Sequence, residues 1–216
     1  MTTYGSAAPT TRLVLKSSDR SSSSSKKALM ALGIAAVMAC TYTAATSSPM
    51  ASTMFLSKNN MCNLKTGDVI ALQADTGKYF ARCSDCIPNA AFPDAAFVHA
   101  PNSKDSSSHW TVTAIKNGKV ALQGDNGKFL ARCTNCAPYA IHESEAFIHV
   151  EDWNEGAWAQ WSCEATDNGK IALADDTGKY LARCNNCVNG AFPDAGFLHV
   201  DDWKKAHHAQ WQLHHK

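Results

Sequence analysis

The chain has 216 residues, 45% of them hydrophobic, with 20 Lys and Arg against 19 Asp and Glu and nine Cys. A near-neutral balance with no basic stripe excludes nucleic acid and anionic lipid as main partners. There is no Gly-x-Ser-x-Gly, His-Glu-x-x-His or phosphate-cradling glycine loop, so the chain reads as a binding protein, not an enzyme.

Residues 1–56 read as a targeting leader. They are rich in Ser and Thr and carry five Lys or Arg against one acid. Lys26-Lys27 precede an apolar segment at 28–45, and Thr43-x-Ala45 offers small residues for cleavage. The segment is rich in Ala, Gly, Met and Thr, marginal for a permanent span, which needs about 20 strongly apolar residues. This pattern predicts a secreted or cell-surface protein with no membrane contact once the leader is removed. The alternatives are a thylakoid-type organelle lumen and a retained single-span anchor. No Asn-x-Ser/Thr sequon is present, which favours the lumen or a unicellular surface.

Residues 57–216 repeat themselves. Gly77-Lys78-Tyr79-Phe80-Ala81-Arg82-Cys83 returns at Gly127 to Cys133 and at Gly178 to Cys184, with the glycines 50 and 51 residues apart. Phe97, Phe147 and Phe197 keep the period, as do Trp110, Trp161 and Trp211. The units run over about 67–117, 118–168 and 169–216 and abut at Asn-Gly turn signals without linkers. Each predicts four short strands, in unit two at Val120–Gln123, Lys128–Cys133, Ala146–Val150 and Gln160–Ala165. No helical period follows Ser57. Twelve strands in three copies, closed around a three-fold axis to remove sheet edges, predict an all-β chain folded as a β-trefoil. The recurrent Trp and Phe are expected in its core.

Gly-Lys-Tyr-Leu-Ala-Arg after an apolar strand and Asp-Thr-Gly or Asp-Asn-Gly resembles the repeat of fascin-like, actin-crosslinking β-trefoils. The resemblance spans all three units and implies the trefoil fold, with actin as a partner. It departs from ricin-type sugar-binding trefoils, which carry Gln-x-Trp where this chain has Gln160-Trp161 and Gln210-Trp211.

Cys40 lies in the leader, leaving eight cysteines, an even number that fits an oxidising compartment. Cys62 and Cys163 are either bridged or two buried thiols. The pairs Cys83/Cys86, Cys133/Cys136 and Cys184/Cys187 flank turn residues and read first as disulfides. Zinc is the second reading, each pair joined by His99, His149 or His199 at finger-like spacing, although a fourth ligand is missing in every unit. Redox catalysis is the third; it calls for a helix N-terminus to lower a thiol pKa, and none is expected.

For binding, Asp152-Trp153 and Asp202-Trp203 stand out because two units keep them and the first has Asn102-Ser103. An aromatic face beside a carboxylate suits a glycan or polysaccharide, and Trp158 is a further exposed candidate. The competing expectation is that these Trp cover the barrel mouth. His99, His149 and His199 are expected to make a structural hydrogen bond repeated by symmetry, and Asp94 and Asp194 to be turn residues. Unit two writes Ile141-His142-Glu143-Ser144-Glu145 in place of Phe-Pro-Asp-Ala, so a site there is not three-fold. All nine His lie in the domain, so its charge is expected to change sign in the histidine range.

Overall fold

The computed structural model describes residues 62–216; the leader expected at 1–56 lies outside them. The described chain is all-β. Its strands are β1 (Val69–Gln73), β2 (Tyr79–Ser84), β3 (Asp94–Ala100), β4 (Trp110–Ala114), β5 (Lys119–Gln123), β6 (Phe129–Thr134), β7 (Ser144–Val150), β8 (Trp161–Ala165), β9 (Ile171–Ala174), β10 (Tyr180–Asn185), β11 (Asp194–Val200) and β12 (Gln212–His215). Helical backbone among the described residues is confined to single 3₁₀ turns.

Six strands make a barrel, each antiparallel to its neighbours: β1 pairs with β4, β4 with β5, β5 with β8 and β8 with β9. The ring closes through an Ile171–Trp211 bridge and the pairing of β12 with β1. The hairpins β2–β3, β6–β7 and β10–β11 cap one end. This is a β-trefoil. Alternation in each strand sends one side chain set inward, so Ile70, Leu72, Leu122 and Leu173 meet in one core with Trp110, Trp161 and Trp211, all fully buried.

Each tryptophan also has its polar atom satisfied. The Nε1–H groups of Trp110, Trp161 and Trp211 donate to the carbonyls of Phe80, Leu130 and Leu181 at 3.1, 3.0 and 3.1 Å. These bonds tie every barrel wall to its own capping hairpin, at the point where each hairpin carries a bulge. The turn before each capping strand needs a left-handed residue, and Gly77, Gly127 and Gly178 supply φ of 81°, 79° and 83°.

The repeated arginine closes the ring of units. Arg82 forks onto Asp125 of unit two at 2.6 and 3.0 Å, and Arg132 onto Asp176 of unit three at 2.8 and 2.9 Å. Arg183 returns to Asp75 of unit one at 2.7 and 2.9 Å. Bidentate pairs of this kind are strong and directional. The guanidinium groups hold all three carboxyls below the usual carboxylate range. Asp94 and Asp194 are second partners of Arg82 and Arg183, at 2.9 Å each. Unit two has Ser144 there, and Arg132 takes Asp175 at 3.4 Å instead.

Candidate functional site

The eight cysteines among the described residues are all bridged. Cys62 joins Cys163 across 101 residues with Cα atoms 5.4 Å apart, so the strap before β1 is tied to β8. Cys163 points into the barrel core, where Val112 stands in unit one. Each Cys-x-x-Cys closes on itself, with Cα separations of 5.7 Å. The residue before the second cysteine is left-handed in every copy: Asp85, Asn135 and Asn186 take φ of 55°, 59° and 56°. Asn and Asp tolerate that conformation, which is why these types stand there.

The loops after the third strands show how local chemistry uses the residues singled out for binding. Asp152 accepts from Asn154 N at 2.9 Å and forms a capping box with Glu155. Asp202 accepts from Lys204 N at 3.0 Å. Both carboxylates therefore cap 3₁₀ turns. Trp203 is buried at 6% exposure, and its Nε1 donates to Glu164, which also accepts from the Tyr180 hydroxyl at 2.6 Å. Burial and that acceptor push the Tyr180 pKa up to about 12. Trp153 is half-buried against Phe129 and Ala131 and has no such acceptor beside it. Trp158 is the exposed member, at 38%. One side of its ring lies over Gly156, where an added Cβ would stand 2.2 Å from the ring.

Trp203 does line a groove of about 230 Å³, with Asp167, Asn168, Lys204, His207 and Gln210. Its amides are pre-oriented: Asn168 Nδ2 donates to Gln210 Oε1 at 3.0 Å, and Gln210 Nε2 donates to the Trp203 carbonyl at 2.9 Å. Lys204 Nζ stands 5.7 Å from the Trp203 ring centroid. Asp167 has neither an ion pair nor a side-chain hydrogen bond among the described residues, so it faces the groove uncommitted. Asp167, His207 and Gln210 were not among the expected binding residues, Gln210 standing out only beside Trp211. The available signal was His207 standing where unit two has Ala157, a departure from the repeat beside a conserved spacing.

At the cap, the third strands meet on the axis through Ala95–Phe147, Glu145–Phe197 and Ala195–Phe97 bridges. Glu145 thus occupies the position of two alanines, at 1% exposure among disulfides and Phe rings. Its Oε2 accepts from Ala137 N at 3.3 Å, while Oε1 has no partner. Room for it comes from Ala137, which replaces the larger Ile87 and Val188 of the other units. Burial raises the Glu145 pKa to about 7.

His99, His149 and His199 stack on aromatic neighbours, and each also faces the carbonyl two residues back. Their rings lie 5.9, 4.3 and 4.5 Å from Phe192, Phe92 and His142. Nδ1 of His99 lies 3.4 Å from Phe97 O, and the carbonyls of Phe147 and Phe197 face His149 and His199 in the same way with poorer alignment. The expected zinc sets built on these three histidines do not form among the described residues, because each ring turns to its aromatic neighbour. Burial lowers the pKa of His149 and His208 and takes His199 to about 4. Of the three, His199 accepts charge only well below neutral pH.

The fold and its four disulfides define a stapled β-trefoil, and solved structures share the fold. The SDF2-like protein of Arabidopsis thaliana superposes with a TM-score of 0.53 at 16% identity, over 70% of this chain and 94% of that one. A Caenorhabditis elegans protein of unknown function gives 0.52 at 14%, over 73% and 98%. A protein O-mannosyltransferase complex of Saccharomyces cerevisiae, bound to its sugar donor, gives 0.54 at 14%, over 72% of this chain and 25% of that one. At these identities the likeness is one of fold. No family model matches the chain, and no curated protein does.

Proposed function

We propose that the domain is a non-catalytic, lectin-like module that binds carbohydrate in the groove of unit three. The observation that carries this reading is the groove's chemistry: an indole edge from Trp203 beside the uncommitted Asp167 and the pre-oriented Asn168 and Gln210 amides. Sugar C–H groups meet the exposed edge of the indole, and hydroxyls exchange hydrogen bonds with fixed polar groups at little ordering cost. The site differs from the Asp152, Trp153 and Trp158 loop of unit two, whose carboxylate is already a cap. Four disulfides fit a module working in an oxidising, extracellular-type compartment.

A glycan array followed by calorimetry tests the reading. Asp167→Ala and His207→Ala alter exposed side chains and leave the core intact. Each is expected to weaken glycan binding about tenfold, the loss of about 1.4 kcal/mol. Full affinity in both variants, or no glycan bound, overturns it. Co-sedimentation with filamentous actin in place of glycan binding would select the partner implied by the fascin-like resemblance.

A further inference from the structure

Phe92, His142 and Phe192 hold equivalent positions, and each segment reaches over to the next unit's disulfide. Ala91 N donates to Cys136 O at 2.9 Å and Ile141 N to Cys187 O at 3.0 Å. Phe192 lines a groove with Cys86. Two of the three bridges therefore sit beside a benzene ring and the third beside an imidazole. At that third position a ring nitrogen of His142 and the sulfurs of Cys184 and Cys187 lie within 4.8 Å of one another. The sulfurs are buried, Cys187 at 2% exposure, while His142 is half-exposed in a groove of about 290 Å³ shared with Thr177, Lys179 and His199.

We propose that Cys184, Cys187 and His142 form a redox-gated site for one thiophilic divalent cation of the zinc class. Tetrahedral zinc with bonds of about 2.3 Å to sulfur and about 2.0 Å to nitrogen needs donors about 3.5–3.8 Å apart, so small side-chain rotations suffice. Two thiolates and one imidazole suit zinc, and the groove lets water reach the fourth position. The bridge gates it. A dithiol opens Cys184–Cys187 by exchange, giving two electrons and two protons and closing to its own disulfide. The cation then displaces both thiol protons to solvent and forms two metal–sulfur bonds and one metal–nitrogen bond. Units one and two lack the third donor, because Phe192 and Phe92 have none.

Native mass spectrometry of the domain, reduced with a phosphine and titrated with zinc, tests the site. One zinc is expected on the reduced wild type and none on the oxidised protein. His142→Phe installs the residue of the other two units and should reduce the count to none. Phe92→His should raise it to two by completing a set with Cys133 and Cys136. No zinc on reduced wild type, or undiminished binding in His142→Phe, overturns the proposal. Alkylation mapping covers the case of a reduced chain that loses its fold. Zinc should shield Cys184 and Cys187 but not Cys83, Cys86, Cys133 or Cys136, and equal labelling of all six overturns the site.

Discussion

The barrel and the cap treat three-fold symmetry differently. In the barrel wall each unit contributes the same tryptophan and the same indole-to-carbonyl bond, and each capping hairpin sends the same arginine fork to the next unit. Closure demands this: a ring of three joints is only as strong as its weakest one. In the cap, unit two replaces Phe, Ala and Ile of unit one with His142, Glu145 and Ala137. Polar chemistry enters there because three strands converge on one axis, so one altered unit suffices to make one asymmetric site. The difference teaches that repeat departures near the axis are the places to look for function.

The largest expected effect tests an asymmetric feature of the barrel, the Cys62–Cys163 bridge. Closing about 100 residues restricts the unfolded chain by about 5 kcal/mol, whereas each four-residue Cys-x-x-Cys loop restricts it by about 2 kcal/mol. Replacing both Cys62 and Cys163 with Ser should therefore lower unfolding free energy in denaturant titrations more than removing any Cys-x-x-Cys bridge. The reverse order would show that the strap before β1 is incidental to the barrel.

Glu145→Gln sharpens the cap side of the comparison. The Glu145 pKa is raised to about 7 in the folded protein, from an ordinary value near 4.5. Its contribution is thus most favourable below pH 4.5 and is lost as pH rises through 7. The variant should be more stable than wild type by about 1–3 kcal/mol at pH 8, and the gain should shrink towards pH 4. His199 slopes the other way: with its pKa lowered to about 4, stability present above 6.5 is lost as pH falls. Comparing wild type and variant at each pH cancels that term. No gain at pH 8 would mean that the buried carboxylate is better solvated than its surroundings indicate.

Arg183→Ala opens the joint between units three and one. Its side chain and that of Asp75 are partly exposed, so the expected cost is about 1–2 kcal/mol. Arg82→Ala should cost about the same, since both arginines also hold a second aspartate. Thermal unfolding of both variants measures it; a clear inequality would show that the belt is less symmetric than its distances.

Much of the fold was legible because a period of about 50 residues and strands of alternating polarity leave few ways to bury the apolar set. Core positions of the Trp and Phe series followed from recurrence alone. The binding residues were less legible. Asp152 and Asp202 looked like ligand carboxylates, yet the backbone two residues on takes their oxygens, a competition that sequence shows only as a capping pattern. The repeated arginine carried no visible assignment, since its partner lies 43, 44 or 108 residues away.

By itself, then, the amino-acid sequence determined the repeat, the strand order and the trefoil, because local turns and periodic burial are written in neighbouring residues. The tertiary structure alone decided that Cys62 meets Cys163, that Glu145 is buried beside the axis, and that His142, not His199, approaches Cys184 and Cys187. Those pairings cross unit boundaries, and distance along the chain carries no record of which side chains converge when three units close into one ring.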